Sequence, residues 1–123
     1  MTSTVRIAPP NSLLLVVDDP GKIDVPRIVR GRTNVAGTRS CIAIGTRSAQ
    51  DGETLVSLAS EDAPDEAPAF DGVLDTPRKT LSVCSVLLSP IIECKVASER
   101  TRGRVWTNHP SEPDTVRIVV SAP

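Results

Sequence analysis

The chain has 123 residues, 14 basic and 15 acidic side chains, and a formal net charge of −1. Apolar residues make up 39% and aromatics only 2%, the latter being Phe70 and Trp106 alone. This length suits one domain, residues 1–123, and the composition excludes a collagen, a coiled coil, a disulfide scaffold and a wholly disordered chain. No run approaches the ~20 apolar residues of a membrane-spanning helix. Residues Met1 to Ala8 lack the apolar stretch of a secretory signal, and Leu13 to Val17 is closed at once by Asp18, Asp19 and Pro20. Cys41, Cys84 and Cys94 make an odd set, which suits a reducing compartment, so the protein is expected to be cytoplasmic.

The predicted elements are short and bounded by proline and glycine. Val5 and Ile7 flank Arg6 in strand alternation, and Leu13–Val17 reads as a fully buried strand stopped by the turn residues that follow. Gly31 and Gly37 disfavour a helix across Val25–Arg39. Cys41–Thr46 and Thr54–Ser60 read as a strand pair, with Asp51-Gly52 as the hairpin signal between them. Glu53–Ser60 also fits a helical stripe, and its neighbours favour strand.

Thr80–Leu88 places Leu81, Val83 and Leu87 on one face and Cys84, Val86 and Leu88 on the other, as a strand covered on both sides does. Ile91–Ala97 puts Ile92, Cys94 and Val96 inward, with Glu93 and Lys95 toward water. Folding these two runs about Ser89 sets Cys84 opposite Cys94; a one-residue shift sets Ser85 there instead. Val105–Thr107 is a short strand carrying Trp106, and Val116, Ile118 and Val120 share a face opposite Arg117. The pattern predicts an all-β fold, an antiparallel β-sandwich of about seven or eight strands with little or no helix.

Near-neutrality conceals segregation. Lys22–Arg47 carries a balance of +5, Asp51–Asp75 of −8, and Arg78–Arg104 of +4. The acidic stretch, with Pro64, Pro68 and Gly72, reads as a flexible loop around 60–77. Glu61, Asp62, Asp65, Glu66 and Asp71 on it, and Arg27, Arg30 and Arg32 on the basic flank, are the candidate partner-binding residues. The arginines invite a nucleic-acid reading, but the poverty of aromatic stacking platforms argues against it. Arg100, Arg102 and Arg104 alternate as charges guarding a strand edge do.

No catalytic constellation emerges. His109 stands between Asn108 and Pro110 without a rigid nucleophile partner or a Gly-x-Ser-x-Gly elbow. Cys41, Cys84, Cys94 and His109 have the ligand types for zinc but none of its close spacings, and buried apolar cysteine is the simpler reading. Asp18 and Asp19 beside Pro20-Gly21 are turn formers, and phosphate-binding glycine loops are absent. No metal, cofactor or catalytic residue is therefore assigned.

The stretch Phe70-Asp71-Gly72-Val73-Leu74, leading into Leu81-Ser82-Val83, resembles part of a bacterial pattern. Small β-sandwich proteins similar to competence protein J, a nuclease inhibitor, place an aromatic and a valine before a strand with leucine, serine and valine. A strand, a turn with proline and glycine, and a last strand follow. The resemblance spans the C-terminal half; here the last turn has His109, Pro110 and Pro113 without glycine, and no aromatic follows it. It implies a sandwich fold and an inhibitor role, and it transfers no functional residue. The expectation is a non-catalytic module that binds a protein partner through charged surfaces. The alternative is a small-ligand binder with a pocket between or at the end of the sheets. Exposed strand edges would support a homodimer.

Overall fold

The structure, a computed structural model, describes residues 2–29, 33–60 and 63–123. The short β-branched runs become β1 (Thr2–Ile7), β2 (Leu13–Val17), β3 (Val35–Gly37), β4 (Cys41–Gly45) and β5 (Thr54–Ala59). They are followed by β6 (Phe70–Asp75), β7 (Thr80–Cys84), β8 (Pro90–Lys95), β9 (Arg100–Thr107) and β10 (Thr115–Ser121). One sheet runs β1-β5-β10-β9-β6 and the other β3-β4-β2-β7-β8. We refer to them as the first and second sheets. Among the described residues, all strand pairs are antiparallel except β5 with β10. The only helical elements among the described residues are short 3-10 turns at Pro10–Ser12 and Ala49–Asp51. The β-sandwich is as expected, but with ten strands among the described residues rather than seven or eight. The extra strands, β3 and β6, are edge strands whose short length or internal glycine weakens their pattern.

The core is aliphatic. Val56, Leu58, Val105, Val116, Ile118 and Val120 of the first sheet meet Leu14, Val16, Ile42, Ile44, Leu81 and Val83 of the second. Gly103 permits this contact on β9, since a β-carbon there would lie 2.8 Å from Ile42 Cδ1. The one phenylalanine, Phe70, takes the space left by the missing side chains of Gly37 and Gly72.

Strand β2 is apolar on both sides because the second sheet is covered twice. Leu15, Val17, Cys41, Ala43 and Cys84 form a further cluster, with Ile23 and Ile28 packed on it. Ile23 and Ile28 belong to a strap between β2 and β3. Asp24 N–H donates to Ser40 Oγ at 2.8 Å, and Thr38 Oγ1 donates to the Asp24 carbonyl at 2.6 Å, fixing the strap to the sheet.

Four local expectations are corrected. Cys41–Thr46 and Thr54–Ser60 are not a hairpin: β4 pairs with β2 and β3, whereas β5 pairs with β1 and β10 in the other sheet. Asp51-Gly52 therefore turns the chain between layers, with Gly52 at φ 121. Strand β7 ends at Cys84, and a turn closed by Leu88 N–H on the Ser85 carbonyl (2.9 Å) leaves Leu87 78% exposed. The β7–β8 register sets Cys94 against Leu81 and Cys84 against Pro90, with a bulge between, so neither predicted pairing forms. Asp18 is more than a turn former: buried, it accepts the Arg78 N–H at 3.0 Å and the Thr80 N–H at 3.1 Å, tying the end of β2 to the start of β7.

Candidate functional site

The acidic stretch is not loop throughout, because Phe70–Asp75 form β6. Its first part makes a crossing. Strand β5 ends at Ala59, and β6 lies three places along the sheet, beyond β10 and β9, so the connection must pass across both. Trp106 shows on which side it passes. Val105 points into the core, so its neighbour Trp106 points outward from the first sheet. There Trp106 Nε1 donates to the Glu66 carbonyl at 2.9 Å, and the ring is only 7% exposed. The acidic segment is thus a second strap, laid over the outer face of the first sheet.

Beneath and beside it lies a basic face that the linear charge map does not show. Arg6, Arg117, Arg102 and Arg104 all alternate with inward residues on β1, β10 and β9, so they share the outer side. Arg117 stands opposite Trp106 in the register, and the Arg104 guanidinium lies 5.8 Å from the Trp106 ring centroid, a cation–π distance. Arg102 makes a two-pronged bond to Asp71 across the β6–β9 pair, Nε to Oδ1 at 2.8 Å and Nη2 to Oδ2 at 2.5 Å. That hydrogen bond holds the Asp71 carboxyl below the usual carboxylate range. Arg39 similarly meets Asp75 at 3.2 Å. The predicted edge-guarding role of Arg100, Arg102 and Arg104 is corrected, because β6 covers β9 and is itself the edge.

The candidate residues divide between opposite sides of the sandwich. Asp65 and Glu66 are exposed on the acidic strap, and Asp71 stands beside them on β6. Arg27 is exposed on the other strap, between Ile23 and Ile28 on the outer face of the second sheet. Glu61, Asp62, Arg30 and Arg32 lie outside the described residues. The acidic and basic segments therefore do not make one surface. The acidic strap and the arginines of β1, β9 and β10 do, and those arginines were legible as outward-facing singly but not as neighbours.

The groups weighed for chemistry are placed apart. Cys41 and Cys84 are buried on strands either side of β2, Cys94 is half-buried on β8, and His109 lies in the turn before β10. Burial pushes the Cys41 thiol up to about 12 and raises those of Cys84 and Cys94, which removes nucleophilic thiolate near neutral pH. His109 Nδ1 accepts the backbone N–H groups of Ser111 (3.2 Å) and Glu112 (2.9 Å), so it shapes its own turn. A cleft of about 520 Å³ opens at the side where β8 approaches β1 and β5, lined by Ser3, Leu58, Cys94, Glu93 and Lys95 among others. Its Glu93 is already engaged by Ser82 Oγ at 3.0 Å.

No family model matches the chain, and no curated protein matches it in sequence. A comparison of structures finds one solved protein similar over 98% of this chain and 96% of its own, with a TM-score of 0.70 at 10% identity. The sandwich thus has the fold of ComJ, the inhibitor of the DNA-degrading activity of NucA from Bacillus subtilis, as the pattern through Phe70–Leu74 and Leu81–Val83 implied.

Proposed function

We propose that this chain is a non-catalytic inhibitor module that binds a nuclease, and that its acidic strap is the docking surface. The observation that carries the reading is the match of the whole sandwich to ComJ, end to end, rather than of a shared submotif. The surface chemistry agrees with it. A DNA-degrading enzyme must present positive charge to phosphates, and Asp65 and Glu66 offer such a surface carboxylates of the opposite sign, whereas Asp71 is already engaged by Arg102. The Trp106 bond to the Glu66 carbonyl holds the strap in place before binding, which lowers the ordering cost of association. Electrostatic docking of this kind accelerates encounter and weakens with salt.

The test is inhibition. The purified chain is added to NucA, and separately to the DNA-degrading activity of an extract of its own source cell, and plasmid degradation is followed on gels. Protection is expected at low salt in at least one of the two, and reversal of charge with Asp65→Lys and Glu66→Lys together should weaken it by about tenfold or more. No protection in either preparation at a large molar excess overturns the reading. Protection that survives the double reversal keeps the inhibitor role and removes the strap from it.

A further inference from the structure

The four edge strands of the sandwich differ in how they are protected. Strand β3 has three residues, and β8 begins at Pro90, carries Glu93 and Lys95 outward, and pairs through a bulge. Strand β6 contains Gly72 and two aspartates, and its Asp75 N–H is taken by the Arg39 carbonyl at 2.7 Å. These are the usual devices that stop a sheet from growing. Strand β1, Thr-Ser-Thr-Val-Arg-Ile, has none of them: no proline, glycine or bulge, one charge, and an unbroken six-residue register on β5. Its other side pairs with no strand among the described residues.

A second, independent feature lies beside it. Ser3 is an inward position on β1, opposite Leu58 in the register, and both line the cleft of about 520 Å³. A small residue at an inward position leaves the sandwich open where an apolar side chain would otherwise stand.

We propose that β1 is a homodimer interface, in which two copies pair antiparallel through β1 and fuse their first sheets. Side chains that oppose one another must share a face, so only registers that keep Thr2, Thr4 and Arg6 together are allowed. The central one sets Thr4 against Thr4 on the two-fold axis, Ser3 against Val5, and Thr2 against Arg6. Val5 packs against the core of its own copy, so it faces inward. The pairing brings Val5 of the second copy beside Ser3, at the mouth of the cleft. Thr–Thr is a favourable cross-strand pair, and no like charges meet. The two Arg6 side chains are offset by four residues, roughly 13 Å along the strands. The dimer contact uses the backbone edge of β1, whereas the inhibitor reading uses Asp65 and Glu66 on the strap, so the two are tested by different variants.

Sedimentation velocity and cysteine cross-linking test it on the full chain. The interface is a strand pair over residues 2–6 of each copy with one valine at the mouth of each cleft, so a dissociation constant of roughly 1–100 µM is expected. Thr4→Lys sets two ammonium groups face to face and should weaken the dimer about fivefold or more while leaving the thermal melt unchanged, since Thr4 is exposed. Thr4→Cys should yield a disulfide dimer with oxidised glutathione, because opposed Cα atoms lie about 4.5–5.5 Å apart. Thr2→Cys should not, its two copies being roughly 13 Å apart. The unsubstituted chain controls for Cys94. A monomer up to about 1 mM overturns the proposal and leaves the β1 edge to a strand from another protein. A dimer indifferent to Thr4→Lys, or cross-linked equally through position 2, overturns it as well.

Discussion

Replacement of Asp18 is the sharpest probe of how the second sheet is held. The residue is 4% exposed, and each carboxylate oxygen accepts one backbone N–H, from Arg78 and Thr80, across 60 and 62 residues of chain. A hydrogen bond to a charged group contributes about 1.5–3 kcal/mol net, and an orphaned buried donor costs about 1–3 kcal/mol. Asp18→Asn retains one oxygen and turns an NH2 group toward the other N–H, so one bond is lost and one donor is stranded. The expected loss is about 2–3 kcal/mol. Asp18→Ala removes both acceptors in a buried site, with an expected loss of about 3–5 kcal/mol. With a urea slope of roughly 1–3 kcal/mol per molar, the asparagine variant should unfold about 0.7–3 M earlier. Equilibrium urea unfolding followed by far-UV circular dichroism measures this directly. Losses below about 0.5 kcal/mol for both variants would refute the idea that Asp18 ties β2 to the start of β7.

Three further expectations follow from the same geometry. Trp106→Phe removes the donor to the Glu66 carbonyl but keeps an aromatic ring, so amide exchange in residues 63–69 should quicken about five- to tenfold with little global loss; unchanged exchange would mean the strap is held otherwise. The Asp71 carboxyl is held below its unfolded value by Arg102, so its contribution to stability is present above the unfolded pKa of about 3.9 and fades as pH falls through the lower folded one. A carbon-detected NMR titration should show Asp71 below the usual range, with Arg102→Gln moving it upward; an unmoved midpoint would discard that cause. Alkylation at pH 8 should modify half-buried Cys94 before buried Cys41 and Cys84, which should react only as the protein unfolds; mass spectrometry reads the order.

What was legible in the sequence was local. Alternation alone placed Val5 and Ile7 on one side of Arg6, and Val116, Ile118 and Val120 on one side of Arg117, and the structure agrees. The apolar run Leu13–Val17 announced a strand covered on both faces, although not that Ile23 and Ile28 would supply one cover. Strand adjacency was not legible, because side-chain period is the same whichever neighbour a strand takes. Hence β4 and β5 read as a hairpin across Asp51-Gly52, whereas the chain there changes layer. The outward arginines illustrate the same limit. Arg6 and Arg117 are 111 residues apart in the chain, and only the order β1-β5-β10-β9 brings them to one face. Asp18 was hidden differently, since a turn-forming aspartate and a buried acceptor look identical beside Pro20-Gly21.

The parallel seat of β10 between β5 and β9 sets the order in which the molecule can be assembled. Val116 pairs with Val56 on one side and Thr107 on the other, so the first sheet is divided until the residues of β10 join it. During synthesis the chain emerges from its first residue, at roughly 5–20 residues per second, and β10 comes last among the strands. Until then Val56, Leu58 and Val105 lack the neighbour that completes their layer, and two strand flanks stay open to foreign chains. Non-local closure of this kind makes for slow folding on a millisecond-to-second scale. A nascent chain stalled before Thr115 is therefore the species most exposed to aggregation, and residues 115–121 act as the keystone that ends its vulnerability.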